Sequence, residues 1–140
     1  MFENPTKPEI EAFMRRIRTI AVLGLSATPG KPSYHVAEEL QKFGYRIVPV
    51  NPTATEILGE KSWPDLEAAL NGAGPIDVVD VFRRPEHVAE IVDDAIRLKV
   101  PALWLQEGVV DPAAAQKARA AGIFTVMDRC MYKTRRAMGS

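Results

Sequence analysis

One cysteine, Cys130, is the whole thiol content of this 140-residue chain. That excludes a disulfide framework, and no Cys/His spacing suggests a metal site. Histidine is as scarce: only His35 and His87, far apart in the chain. An excess of charge of one sign is also missing, since eighteen basic residues balance eighteen acidic ones. A general binder of nucleic acid or of membrane surfaces would carry a basic excess, so neither partner is expected. No apolar run approaches the ~20 residues that span a bilayer. The N-terminus, MFENPTKPEIEAFMRRIR, lacks the apolar centre of a signal peptide. The expected location is the cytoplasm.

What the chain does have is the composition of an ordinary globular domain, with 46% hydrophobic and 26% charged residues. A single domain over 1–140 of this size buries roughly 68–70% of its unfolded surface and needs no staples. The apolar periodicity predicts an N-terminal helix within 1–19, with Thr6 and Glu9 as a capping box, Pro8 in the first turn, and Ile10, Phe13, Met14 and Ile17 facing inward. Five strands are predicted over residues 20–25, 45–50, 76–82, 102–106 and 123–127, the second ending or loosening at Pro49. Helices fall between them, one of them short and broken at Asn71-Gly72. Asp111 and Pro112 open the last of these and Gly122 closes it. The stretch from Asn51 through Trp63 reads as irregular, and the basic segment from Asp128, including 132–140, as a partly loose tail. Alternating strands and helices predict an α/β, Rossmann-like three-layer domain: a five-stranded parallel sheet with helices on both faces.

In such a sheet, ligands bind beyond the carboxyl ends of the strands. Four loops then qualify. The first, Gly24 to Tyr34, has a glycine at the strand end, hydroxyls at Ser26, Thr28 and Ser33, and the cation Lys31. Ser33 is a fair N-cap, and the free N–H groups at the start of its helix suit an anion. A plain βα turn explains the same residues about equally well. The second loop is Asn51 to Thr53. The third, Phe82-Arg83-Arg84-Pro85, crowds two guanidinium groups, which suits an anionic ligand, although pairing with Asp80 or Glu86 is the commoner arrangement for surface arginines. In the fourth, Gln106, Glu107 and Gly108 end an apolar strand. Gly108 leaves room for close approach, and the Glu107 carboxylate reads as part of a turn. His35 and His87 read as structural. Cys130 beside Arg129 is either a reactive thiol or, more commonly, a buried inert one. Trp63 and Trp104 read as packing residues.

The first loop does not match G-x-G-x-x-G, and Pro32 follows Gly30-Lys31 where a P-loop needs a Ser or Thr. The second strand ends in Val50-Asn51 rather than in the acid that an NAD ribose calls for. Both departures count against a standard dinucleotide dehydrogenase and an ATPase.

The fragments IAVLGLSATPGKPSYHVAEELQKFGYRIVPVNP, EILGEKSWPDL, DVVDVFRRPEHV, ALWLQEGVV and VMDRCM, in this order and spacing, resemble the small stand-alone CoA-binding proteins of bacteria and archaea. These are similar to the N-terminal CoA-binding domain of the succinyl-CoA synthetase α-subunit. The resemblance runs from about Ile20 to Met131. It implies a sheet of order 3-2-1-4-5, with coenzyme A lying across its carboxyl edge. It places phosphates near Gly24, Ser26 and the Ser33-Tyr34 helix start, with Lys31 adding charge. Adenosine falls near Asn51 and Pro52, flanked by Phe82, Arg83 and Arg84, and the pantetheine arm along Gln106 to Gly108. The synthetase's phosphorylated histidine and ATP-grasp parts are not expected here, and neither histidine matches that histidine's context. The expected role is therefore binding of CoA or an acyl-CoA, with no catalytic residue and no metal. Two alternatives stay open: an NAD(P)-binding oxidoreductase or redox sensor, and a structural subunit of a larger acyl-CoA enzyme. Self-association or a partner enzyme also stays open.

Overall fold

The computed structural model describes residues 2–139. The first helix, α1 (Lys7–Arg16), starts as its sequence dictates: the Thr6 hydroxyl accepts from the Glu9 amide, and the Glu9 carboxylate accepts from the Thr6 amide at 2.9 Å. Five strands follow, interleaved with helices: β1 (Thr19–Leu23), β2 (Arg46–Val50), β5 (Val78–Val81), β6 (Ala102–Leu105) and β7 (Phe124–Val126). All pair in parallel, in the order β2-β1-β5-β6-β7. Outside β2, Trp63 forms one parallel bridge to Val50. With that segment counted as third in chain order, the sheet reads third, second, first, fourth, fifth, the expected pattern, with β7 beyond; the five predicted strands by themselves run second, first, third, fourth, fifth.

The sheet carries two apolar cores because β-branched and leucine side chains fill both faces. On one side Ala21, Val48, Val79 and Leu103 meet α3 (Leu66–Gly72), α4 (Val88–Arg97) and α5 (Pro112–Ala120). On the other, Ile20, Val22, Ile47 and Trp104 meet α1, α2 (Pro32–Lys42) and α6 (Met131–Ala137). Among the described residues, no helix is long and apolar enough to cross a membrane.

Several local expectations are corrected. β2 runs through Pro49 to Val50, because the Pro49 carbonyl faces the outer edge, where it accepts from the Trp63 amide at 3.0 Å. The missing N–H therefore costs the β1–β2 ladder nothing. The stretch read as irregular contains a hairpin of β3 (Glu56–Ile57) and β4 (Glu60–Lys61), turning through Leu58 and Gly59, both with positive φ. Helix α3 continues through Asn71 and Gly72; a Cβ on Gly72 would stand 2.3 Å from the Trp63 ring, so glycine there seats the indole. The basic tail is folded over 131–137 as α6. Its Met131 is buried, and the Arg135 guanidinium lies 4.5 Å over the Phe43 ring.

Asp80 stands out in β5, in register with Val22 on one side and Trp104 on the other. It is fully buried, and among the described residues neither carboxylate oxygen has a hydrogen-bond partner. Burial pushes its carboxyl well above the ordinary value of 3.8. The fold thus holds a proton that the unfolded chain releases. Below the ordinary value both states keep it and nothing is lost; above it, stability declines until the folded group itself ionises. The wild type is expected to lose up to about 1.4 kcal/mol per pH unit in that window. Asp80→Val lacks this slope and is the more stable protein at the alkaline end. Urea unfolding of both, between about pH 4 and pH 9, checks it.

Candidate functional site

β1, β2, β5 and β6 all end at one edge, so parallel pairing alone brings their four loops together. Gly24 sits at the join between the first and third loops. Its φ is +86°, and a Cβ there would stand 2.2 Å from the Phe82 carbonyl oxygen and 3.0 Å from the Arg83 Cδ. The group that takes up the room left by the missing side chain is therefore protein: the end of β1 nests against the chain leaving β5.

The first loop is closed internally. The Ser26 amide donates to the Ser33 Oγ at 2.9 Å, and the Ser26 Oγ accepts from the Thr28 amide at 3.0 Å. Ser33 is not the N-cap. Proline favours the first helical position, so Pro32 takes it and Lys31 becomes the cap, without a side-chain bond. The Ser33 and Tyr34 amides then stand in the first turn, where a helix supplies no acceptor. The Tyr34 side chain packs on the apolar cluster beneath α2.

Asn51 ties the ends of β1 and β2. Its Nδ2 donates to the Leu25 carbonyl at 2.9 Å, and its Oδ1 accepts from the Thr53 and Ala54 amides at 2.8 and 2.9 Å. Arg83 and Arg84 are exposed. Asp80 is buried away from them, and among the described residues neither arginine, nor Lys31, takes part in an ion pair. Gln106 is 4% exposed, and its Oε1 accepts from the Met131 amide at 3.1 Å. The Gly108 amide donates to Asp128 at 2.8 Å, and nothing lies within 4 Å of a Cβ built on it. Glu107 pairs with Lys133 at 3.1 Å.

These loops surround a cleft of about 490 Å³. Of the twelve expected contact residues, nine line it: Gly24, Ser26, Lys31 and Ser33 from the first loop, Phe82, Arg83 and Arg84 from the third, and Gln106 and Gly108 from the fourth. Its charged lining is three unpaired cations and one carboxylate that Lys133 already holds. Such a lining favours anions. Pro52 lies in an adjoining cleft of about 250 Å³ that shares Gly24 and Arg83. Neither Tyr34 nor Asn51 lines any of these spaces.

A third cleft, of about 390 Å³, continues the central one through Pro32, Phe82, Gln106 and Glu107. It is walled by His35, Cys130, Tyr132 and Arg136, none of which the sequence reading put in the site. Three of the four belong to the segment read as tail. The signal for Cys130 was the VMDRCM fragment, whose place at the end of the fifth strand is the same carboxyl edge.

Residues 18–136 match the family described as CoA binding domain. The chain is 39% identical over 129 residues to the uncharacterized protein YneT of Bacillus subtilis, covering 92% of this chain and 93% of that one. The solved structure of cell-free ID.343 from Thermus thermophilus superposes with a TM-score of 0.87 at 32% identity, over 96% of this chain and 99% of the other. A shorter likeness, 39% identity over 51 residues, links 35% of this chain to 8% of an ADP-forming acetate–CoA ligase of Archaeoglobus fulgidus.

Gly24→Ala places a side chain at positive φ and against the Phe82 backbone. The expected cost is about 2–4 kcal/mol of stability, read as a lower midpoint in urea with an unchanged slope.

Proposed function

This chain belongs to the family of CoA-binding domains, and from that premise we propose that the central cleft holds coenzyme A or an acyl-CoA by its phosphates. The observation that carries this reading is the set of three unpaired cations, Lys31, Arg83 and Arg84, around a helix start that no side chain caps. A diphosphate placed there accepts from the Ser33 and Tyr34 amides and meets the positive end of α2. The guanidinium groups match phosphate oxygens in a bidentate manner, which surface pairing with a carboxylate would have forestalled.

The rest of the ligand follows the two adjoining clefts. The adenosine part lies on the Pro52 side, where Asn51 acts by shaping the loop, since both ends of its amide are already bonded within the protein. The pantetheine arm runs over Gln106 and Gly108, where the open space above Gly108 admits it. The end of β2 offers no free acid for a ribose diol, which favours CoA over NAD(P). The role is binding, in the cytoplasm.

Calorimetry with CoA is expected to give a dissociation constant on the order of micromolar. Arg83→Ala with Arg84→Ala weakens it by about tenfold to a hundredfold, and added salt narrows the gap. No heat and no thermal shift with millimolar CoA would sink the reading.

A further inference from the structure

Cys130, the one thiol of the chain, is 6% exposed and lines the third cleft. The neighbouring Gln106 gives independent reason to expect a ligand there. An amide that accepts from a backbone N–H must present its oxygen to it, so the Met131 contact fixes which end of Gln106 is which. Gln106 lines both the central and the third cleft, and among the described residues its Nε2 has no acceptor. A side chain 4% exposed, clamped at one end and holding a free N–H at the other, is a donor waiting for a carbonyl. The pantetheine arm has two amide carbonyls between its phosphates and its sulfur.

We propose that the site also takes CoA in its disulfide form and captures one half of it on Cys130. This rests on the CoA reading above. With the phosphates anchored at Lys31, Arg83 and Arg84, the arm passes Gln106 and brings its sulfur end into the cleft walled by Cys130. In the exchange the Cys130 thiol gives up its proton and its sulfur attacks one sulfur of the CoA disulfide. That S–S bond breaks, a new one joins Cys130 to CoA, and the second CoA leaves as a thiolate that takes up the proton. The CoA disulfide is the oxidant, and a small thiol reverses the step. Noncovalent anchoring raises the local concentration of the reacting sulfur, so a nearly buried cysteine reacts with this disulfide in preference to others.

The test uses the intact wild-type chain, reduced and then freed of reductant. Calorimetry with reduced CoA examines the binding reading by itself. Intact-mass spectrometry then follows the protein with CoA disulfide or, at equal concentration, glutathione disulfide. Cys130 is the only cysteine, so a mass gain of one CoA assigns the bond. The expected result is a single CoA adduct, formed at least about tenfold faster than the glutathione adduct. Excess desulfo-CoA slows it, and dithiothreitol removes it. Gln106→Glu keeps an oxygen for the Met131 amide but loses the free donor, and slows the adduct by about tenfold. If reduced CoA binds while CoA disulfide gives no adduct, or reacts no faster than glutathione disulfide, covalent capture is wrong and the binding reading stands. A Gln106→Glu rate equal to wild type overturns the path of the arm over that residue. If reduced CoA does not bind, both proposals fall.

Discussion

The contact on which the rest depends is the one between Gly24 and the carbonyl of Phe82. β1 and β5 are neighbours in the sheet, but the chain leaves them in opposite directions. From β1 it crosses to α2, on the face with Val22 and Trp104; from β5 it crosses to α4, on the face with Val79 and Leu103. A crevice opens wherever adjacent strands send their connections to opposite faces. Its floor is the meeting of the two strand ends, and only glycine at position 24 allows them to meet so closely. The start of α2 and the Arg83-Arg84 pair stand on either side of that floor because of this one approach.

The electrostatics of the crevice run against stability in a consistent way. α2 begins without a side-chain cap, and three cations share one cleft with no ion-pair partner among the described residues. Elsewhere α4 and α6 also begin without a side-chain cap, but Thr6, Asp65 and Asp111 cap their helices, and Lys42 and Arg97 find carboxylates within a turn. Three cations left without carboxylates at one edge of a sheet are a departure from local rules of the kind found at functional surfaces.

Most of the fold was legible because its signals are local. The apolar runs at 20–25 and 102–106, the Thr6 capping box and the Asp111-Pro112 helix start each specify their element without reference to the others. The central cleft was legible at one remove, since parallel topology says which loops converge. What escaped depends on long-range packing. Pro49 stays in its strand because Trp63 covers the outer edge of β2, and Trp63 finds its place because Gly72, far along the chain, leaves room for the ring. The α6 helix forms over a basic segment because Met131 is buried and Phe43 receives the Arg135 guanidinium. Losing α6 from the reading also lost the wall that holds Cys130. The cap of α2 was misplaced by two residues, Ser33 for Lys31, because serine and proline both favour helix starts, and the proline's fixed φ prevailed.

The loops of the crevice are tied to one another rather than left for a ligand to organise. Asn51 spends its whole amide on Leu25, Thr53 and Ala54, and Ser33 turns its hydroxyl back to the Ser26 amide. Such bonds shift the entropic cost of ordering the loops from association to folding. The loop backbone is thus held by the protein's own bonds, and what the proposed ligand would have left to freeze is the long side chains of Lys31, Arg83 and Arg84. Affinity here should be governed by charge and fit more than by rearrangement, and recognition should be fast, closer to the docking of a key than to the closing of a hand.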